Sequence, residues 1–274
     1  MLAYLIALLV GIAAGIHAAT WGMYKDSVYE GFSRWKYFRS ILLAAVLAVL
    51  AQSVLQLDLT RAGSLILLFG VTYVLERGLF EFYKVFLREE DQSKYFIPMA
   101  FAVGGKVVHS RLKRRLAGAA YLGLIAGAVV GVDALAAAAI PLPAALVVVL
   151  IGSVTGWLSA FGGAWKDAPL EGFQLLKFFR SPALASGFAL LLALITDNYL
   201  LIAVGALGFT IASIESYKKF FSPHKAPGKF TGKPVRHPEM YRRRRPFVAV
   251  YVAIWLLIMM NFWLAFTESR QGVL

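Results

Sequence analysis

Eight apolar stretches run the length of the chain, at roughly 2–22, 40–57, 62–80, 116–138, 144–164, 182–196, 199–216 and 246–267. Most approach the ~20 residues that an α-helix needs to cross a hydrocarbon core of about 30 Å. Their apolar residues are continuous rather than alternating, which excludes a transmembrane β-barrel. Pro141 and Pro143 separate the fourth stretch from the fifth, and the polar turn Thr196-Asp197-Asn198 separates the sixth from the seventh. The pattern predicts an all-α polytopic membrane protein with eight transmembrane helices.

Composition agrees. Of 274 residues, 59% are apolar and only 16% charged, against about 45–50% and 25% in a soluble domain. There is no cysteine, so disulfides, thiolate metal sites and cysteine nucleophiles are excluded. The first stretch resembles a signal peptide only loosely, because no Lys or Arg precedes it. It is read as a retained helix.

The net charge of +13 is distributed unevenly. Connections after spans 1, 3, 5 and 7 carry 4, 8, 3 and 10 of the 28 Lys and Arg residues; the other three are Arg61, Arg77 and Arg270. The positive-inside rule therefore predicts a multi-pass protein of the cell membrane, with those four connections cytoplasmic and both termini outside. The runs Lys113-Arg114-Arg115 and Arg242 to Arg245 abut spans. They are expected to attract anionic lipid, at about 1 kcal/mol per charge. No recognition fold accompanies them, so nucleic acid is not expected as a partner.

The chain also repeats itself. Lys25 to Ser40 matches Lys166 to Ser181 at 9 of 16 positions, at a constant offset of 141. The same offset pairs Gly11 with Gly152, Gly15 with Gly156 and Gly22 with Gly163. Further on, Glu81-Phe-Tyr83-Lys84 matches Glu215-Ser-Tyr217-Lys218, and Gly105-Lys106 through His109 matches Gly232-Lys233 through His237. This predicts two four-helix repeats, 1–140 and 141–274. Four is even, so both would insert the same way, related by a pseudo-two-fold axis along the membrane normal. Spans 1 and 5 are expected to pair across that axis through Gly11-x-x-x-Gly15 and Gly152-x-x-x-Gly156, since small residues let membrane helices approach closely.

The two copies differ at most apolar positions but keep Lys25, Asp26, Glu30, Lys36 and Arg39 as Lys166, Asp167, Glu171, Lys177 and Arg180. On a helix, the i, i+4 spacing puts both carboxylates on one face. Carboxylates suit a cation, and Lys and Arg suit a phosphate. A competing reading is a surface turn whose charges pair internally while its long side chains reach the head groups. Gly31 and Gly172 are expected to bend the chain tightly. The Lys106/His109 and Lys233/His237 loops resemble an anion cradle, although the Walker A pattern is absent. Within the spans, His17 and Asp133 are the ionisable residues to watch.

Three functions are consistent with this pattern. The leading one is a small permease or channel-like transporter binding a phosphate-bearing or lipid-headgroup anion at its cytoplasmic face. The second is a membrane enzyme acting on a lipid phosphate or polyprenyl diphosphate. Its paired acidic motifs resemble in arrangement those of UbiA-type prenyltransferases, where Mg²⁺ is held against a diphosphate. This chain lacks the Asn-Asp-x-x-Asp motif and carries its acids after the first and fifth spans, so Mg²⁺ is expected only under that reading. The third is a non-catalytic accessory subunit of a larger membrane complex or oligomer.

Overall fold

A computed structural model describes residues 1–138, 141–221, 226–268 and 271–274. Arg270 and the expected junction of the repeats at residue 140 lie outside these. Nine α-helices occur among the described residues: α1 (Leu2–Glu30), α2 (Arg34–Leu55), α3 (Ala62–Phe82), α4 (Arg111–Ala137), α5 (Ala144–Glu171), α6 (Leu175–Ala193), α7 (Tyr199–Ser216), the single turn α8 (Met240–Arg243) and α9 (Phe247–Thr267). A two-stranded hairpin, β1 (Ala102–Val103) with β2 (Lys106–Val107), lies between α3 and α4. Seven helices are long and apolar enough to cross a membrane: α1, α2, α4, α5, α6, α7 and α9. The chain is a multi-pass helical membrane protein. The remaining long helix, α3, is buried continuously from Ile66 to Tyr73.

Helix ends follow local chemistry. Ser33 and Ser110 cap α2 and α4 by accepting from Lys36 N and Lys113 N, and Asn198 caps α7 by accepting from Leu201 N. Gly31 and Gly172 terminate α1 and α5 at φ +75° and +80°, a region that costs other residues steric strain. Both helices therefore run about two turns beyond their apolar stretches. The repeated acidic motif rides on those last turns, not on a separate surface segment.

The glycine pairs do not join α1 to α5 as expected. A Cβ on Gly11 would lie 2.6 Å from Ala44 O, and one on Gly152 would lie 2.8 Å from Ala185 O. Gly15 meets Ile41 and Ser40 while Gly156 meets Pro182 and Ser181. So α1 packs on α2 and α5 packs on α6, because Ala44/Ala45/Ala48 and Ala185/Ser186/Ala189 offer matching small surfaces. The first and second halves of the chain meet instead through α3 and α7. There Gly208 approaches Gly70 so closely that a Cβ would sit 2.3 Å from its carbonyl oxygen. α9 packs on α3 and α1, whereas α4 is mostly exposed and rests Gly118 on Phe82 and Phe86.

Polar side chains tie the apolar core together. Trp21 Nε1 donates to the Tyr73 hydroxyl at 2.8 Å, and that hydroxyl is 2.9 Å from His17 Nδ1. The fully buried His17 stacks on Tyr251, whose hydroxyl bonds Ser216. Ser216 also accepts from Trp255 Nε1. This chain links α1, α3, α7 and α9, each bond contributing about 0.6–2 kcal/mol in a bilayer.

Gly208→Val is expected to lower stability by about 1–3 kcal/mol, because the α3–α7 crossing has no room for added carbons. Gly187→Ala, inside α6 with nothing within 4 Å of its Cβ position, is expected to raise it by up to about 1 kcal/mol, since alanine is the better helix former. Thermal unfolding in detergent reads the difference.

Candidate functional site

The basic motifs gather at one end of the bundle, where α1 and α5 finish and α2 and α6 begin. There α3 and α7 each loosen into a π-helical turn, Tyr83–Leu87 and Tyr217–Phe221. Those turns carry Lys84 and Lys218 back to Glu81 and Glu215, at 3.0 and 3.1 Å.

A cleft of about 190 Å³ opens between the ends of α5, α6 and α7. Its polar lining is Ser159, Asp167, Gln174, Lys177, Arg180, Ser181, Glu215 and Lys218, so five of the charged residues that recur in the sequence line it. Phe173, Phe178, Ile211 and Ile214 supply the apolar side. Lys177 Nζ donates to Asp167 at 2.8 Å and to Glu171 at 3.2 Å, confirming that the two carboxylates share a helix face. Arg180 differs from the other cleft cations. Among the described residues it has no hydrogen bond or ion pair, and its Nε is buried without a partner.

The matching region of the first half is arranged differently. Lys36 reaches only Glu30, at 3.0 Å. Asp26 is taken by Lys229 at 2.8 Å, and the same ammonium lies 3.9 Å from Glu30. Arg39 stacks over Phe80 at 4.6 Å. Lys229 comes from the connection between α7 and α8, which crosses under the bundle to reach α1. Its neighbours Arg236 and His237 both donate backbone N–H groups to Val28 O, satisfying the end of α1. Burial pulls the Lys229 ammonium below its ordinary value despite the attraction of Asp26.

Between these two regions lie Lys25 and Lys166. Lys25 sits in the field of Glu215, Asp26, Glu81 and Asp167, yet makes no direct ion pair with any of them. Lys166 faces Glu81 and Lys25, and its Nζ contacts Met99 Sδ at 3.4 Å. Each lysine thus lies in the field of carboxylates from both halves of the chain. Glu76 is bonded to Arg77, which stacks over Trp21; this pair sits one turn deeper.

The loop motifs are not brought to the cleft. Lys106, in strand β2, and His109, just after it, are both exposed. Lys233 donates to Ser93 O at 2.7 Å, and His237 pairs with Glu239 at 3.4 Å. Asp133 is exposed on α4. The most consequential residue absent from the sequence reading is Lys229. The match of Gly232-Lys233 with Gly105-Lys106 puts Ala102 opposite it, so a search for repeated residues passes it over. His17 has Leu158 opposite it at the offset of 141, so repetition gives it no weight.

Beneath the site, Glu90 clamps the α3–α4 connection by bonding Arg88, Lys94 and Tyr95. Burial pushes the Tyr95 hydroxyl well up, helped by the carboxylates of Glu30 and Glu90. Burial also opposes ionisation of Glu90, but Lys94 and Arg88 outweigh it and hold the carboxyl below its ordinary value.

No group of three or more His, Asp or Glu residues placed to hold a metal ion occurs among the described residues. No protein-family model, curated protein or solved structure matches the chain.

Lys229→Met is expected to destabilise the protein by about 1–3 kcal/mol, because it leaves Asp26 and Glu30 without their buried counter-ion. Lys36→Met, at a mostly exposed side chain, is expected to cost under about 1 kcal/mol. Denaturation in detergent compares them. The Glu90 clamp has a pH signature. A carboxyl held low in the folded state contributes stability above its unfolded pKa, and loses it as pH falls through the folded value. Protease cleavage between residues 88 and 97 should therefore rise as pH drops below about 4.5, the unperturbed value.

Proposed function

We propose that this is an integral membrane protein that binds a phosphate-bearing anion in the cleft between α5, α6 and α7, at its cytoplasmic face. The observation that carries this reading is Arg180: a guanidinium lining a cleft, with a buried Nε and no carboxylate bonded to it. Guanidinium is the side chain best shaped to grip phosphate, through paired N–H donors. Lys177 and Lys218 are bonded to acids but stand on the same wall, so an incoming anion meets three cations and two carboxylates. The concentration of Lys and Arg at this end supports its cytoplasmic placement.

The parallel-repeat architecture is part of the proposal, with α3 as the eighth span. It is supported by the matched glycine contacts at offset 141, the matched left-handed glycines, the two π-turns and the setting of Lys25 and Lys166 among carboxylates of both halves. Binding is better supported than passage across the membrane, because Gly70 and Gly208 close the bundle centre backbone to backbone. Mg²⁺-dependent chemistry is less well supported, since Lys177 and Lys229 already bond the motif carboxylates.

Arg180→Gln should weaken binding of a soluble phosphate ester by about tenfold or more, the worth of a charge-assisted hydrogen bond. Arg39→Gln should change it little. Tryptophan fluorescence of the solubilised protein measures this. Equal affinity in wild type and Arg180→Gln would remove the basis of the reading.

A further inference from the structure

The cleft holds a second unsatisfied atom, opposite in kind to the first. Glu215 lines the same walls as Arg180, and its side chain is only 14% exposed. Its Oε1 accepts from Lys218, while its Oε2 is buried without a partner. Arg180 lies in the field of Glu215, yet the two make no ion pair. An arginine and a glutamate that share a cleft without closing on each other leave room for a molecule between them. A donor and an acceptor that both lack partners set what that molecule must present, because leaving either buried group unpaired costs about 1–3 kcal/mol.

We infer that the ligand is an aminoalkyl phosphate: its phosphate pairs with Arg180 and its primary ammonium donates to Glu215 Oε2. This rests on the anion-binding reading above and narrows its chemistry. A cleft of about 190 Å³ holds the space of about six waters at ~30 Å³ each, enough for a head group and not for an acyl chain. Chains would leave along the aromatic wall. Phe173 and Phe178 lie 5.1 Å apart, and Phe178 is 5.1 Å from Phe161. Phe161 and Phe173 are more than half exposed on the outer surface. Arg180 lies five residues inside α6 (Leu175–Ala193), about 7–8 Å from its end at 1.5 Å per residue.

The test compares short-chain phosphatidylethanolamine, phosphatidylcholine and phosphatidic acid, with free phosphoethanolamine, on the solubilised full-length wild type by tryptophan fluorescence. The ethanolamine lipid should bind about tenfold or more tighter than the choline lipid, whose trimethylated nitrogen has no N–H to donate. It should likewise exceed phosphatidic acid, which lacks the nitrogen. Glu215→Gln should abolish this preference without weakening phosphatidic acid binding, which should hold or rise because the change removes a carboxylate from the cleft and releases Lys218. Free phosphoethanolamine binding as tightly as the lipid would support a soluble source, and binding of the lipid alone would support a membrane one. Equal affinity for ethanolamine and choline lipids overturns the inference on wild type alone, with phosphatidic acid binding still upholding the anion site. No binding of any of the four defeats the anion reading itself.

Discussion

An ion carried to the end of an apolar bundle loses much of its hydration, and an unpaired one costs several kcal/mol. That constraint arranges the basic end of this protein. Glu81 and Glu215 are each met by a lysine three residues on, Asp167 and Glu171 share Lys177, and Asp26 is met by Lys229. Glu76 is closed by its neighbour Arg77. Arg39, Lys25 and Arg180 stand outside this pairing, and of the three it is Arg180 that lines the cleft.

The two halves use the same parts to different ends. In the second half Lys177 bridges Asp167 and Glu171, and the cleft beside it stays open. In the first half the α7–α8 connection supplies Lys229 to Asp26, freeing Lys36 toward solvent, and Arg39 settles on Phe80. The α3–α4 connection meets α5 through Ala102, whose carbonyl accepts from Trp165.

Much of this was legible in the chain because membranes impose simple patterns. Continuous apolar stretches coincide with the eight long helices, and the offset of 141 runs through Asp167, Lys177 and Arg180, which line the cleft. Gly31 and Gly172 were recognised as bends because positive φ leaves few alternatives to glycine. What escaped were choices that depend on which surface a residue meets. The Gly11 and Gly152 patterns announce close packing but not the partner, and α2 and α6 had alanine faces that fit better than α1 and α5 fit each other. Lys229 lay in a loop whose path under the bundle has no periodic signature. His17 became central only because Tyr73 and Tyr251 converge on it from α3 and α9.

The account stands on the contact between one arginine and a phosphate. Solid-state NMR on protein with ¹⁵N-labelled arginine and a bound phosphate ester measures that contact as a ¹⁵N–³¹P coupling. The expected result is a guanidinium nitrogen within about 4 Å of phosphorus, as paired N–H···O bonds require, with the coupling lost in Arg180→Lys. A coupling that survives that substitution, or none to any arginine, would contradict it.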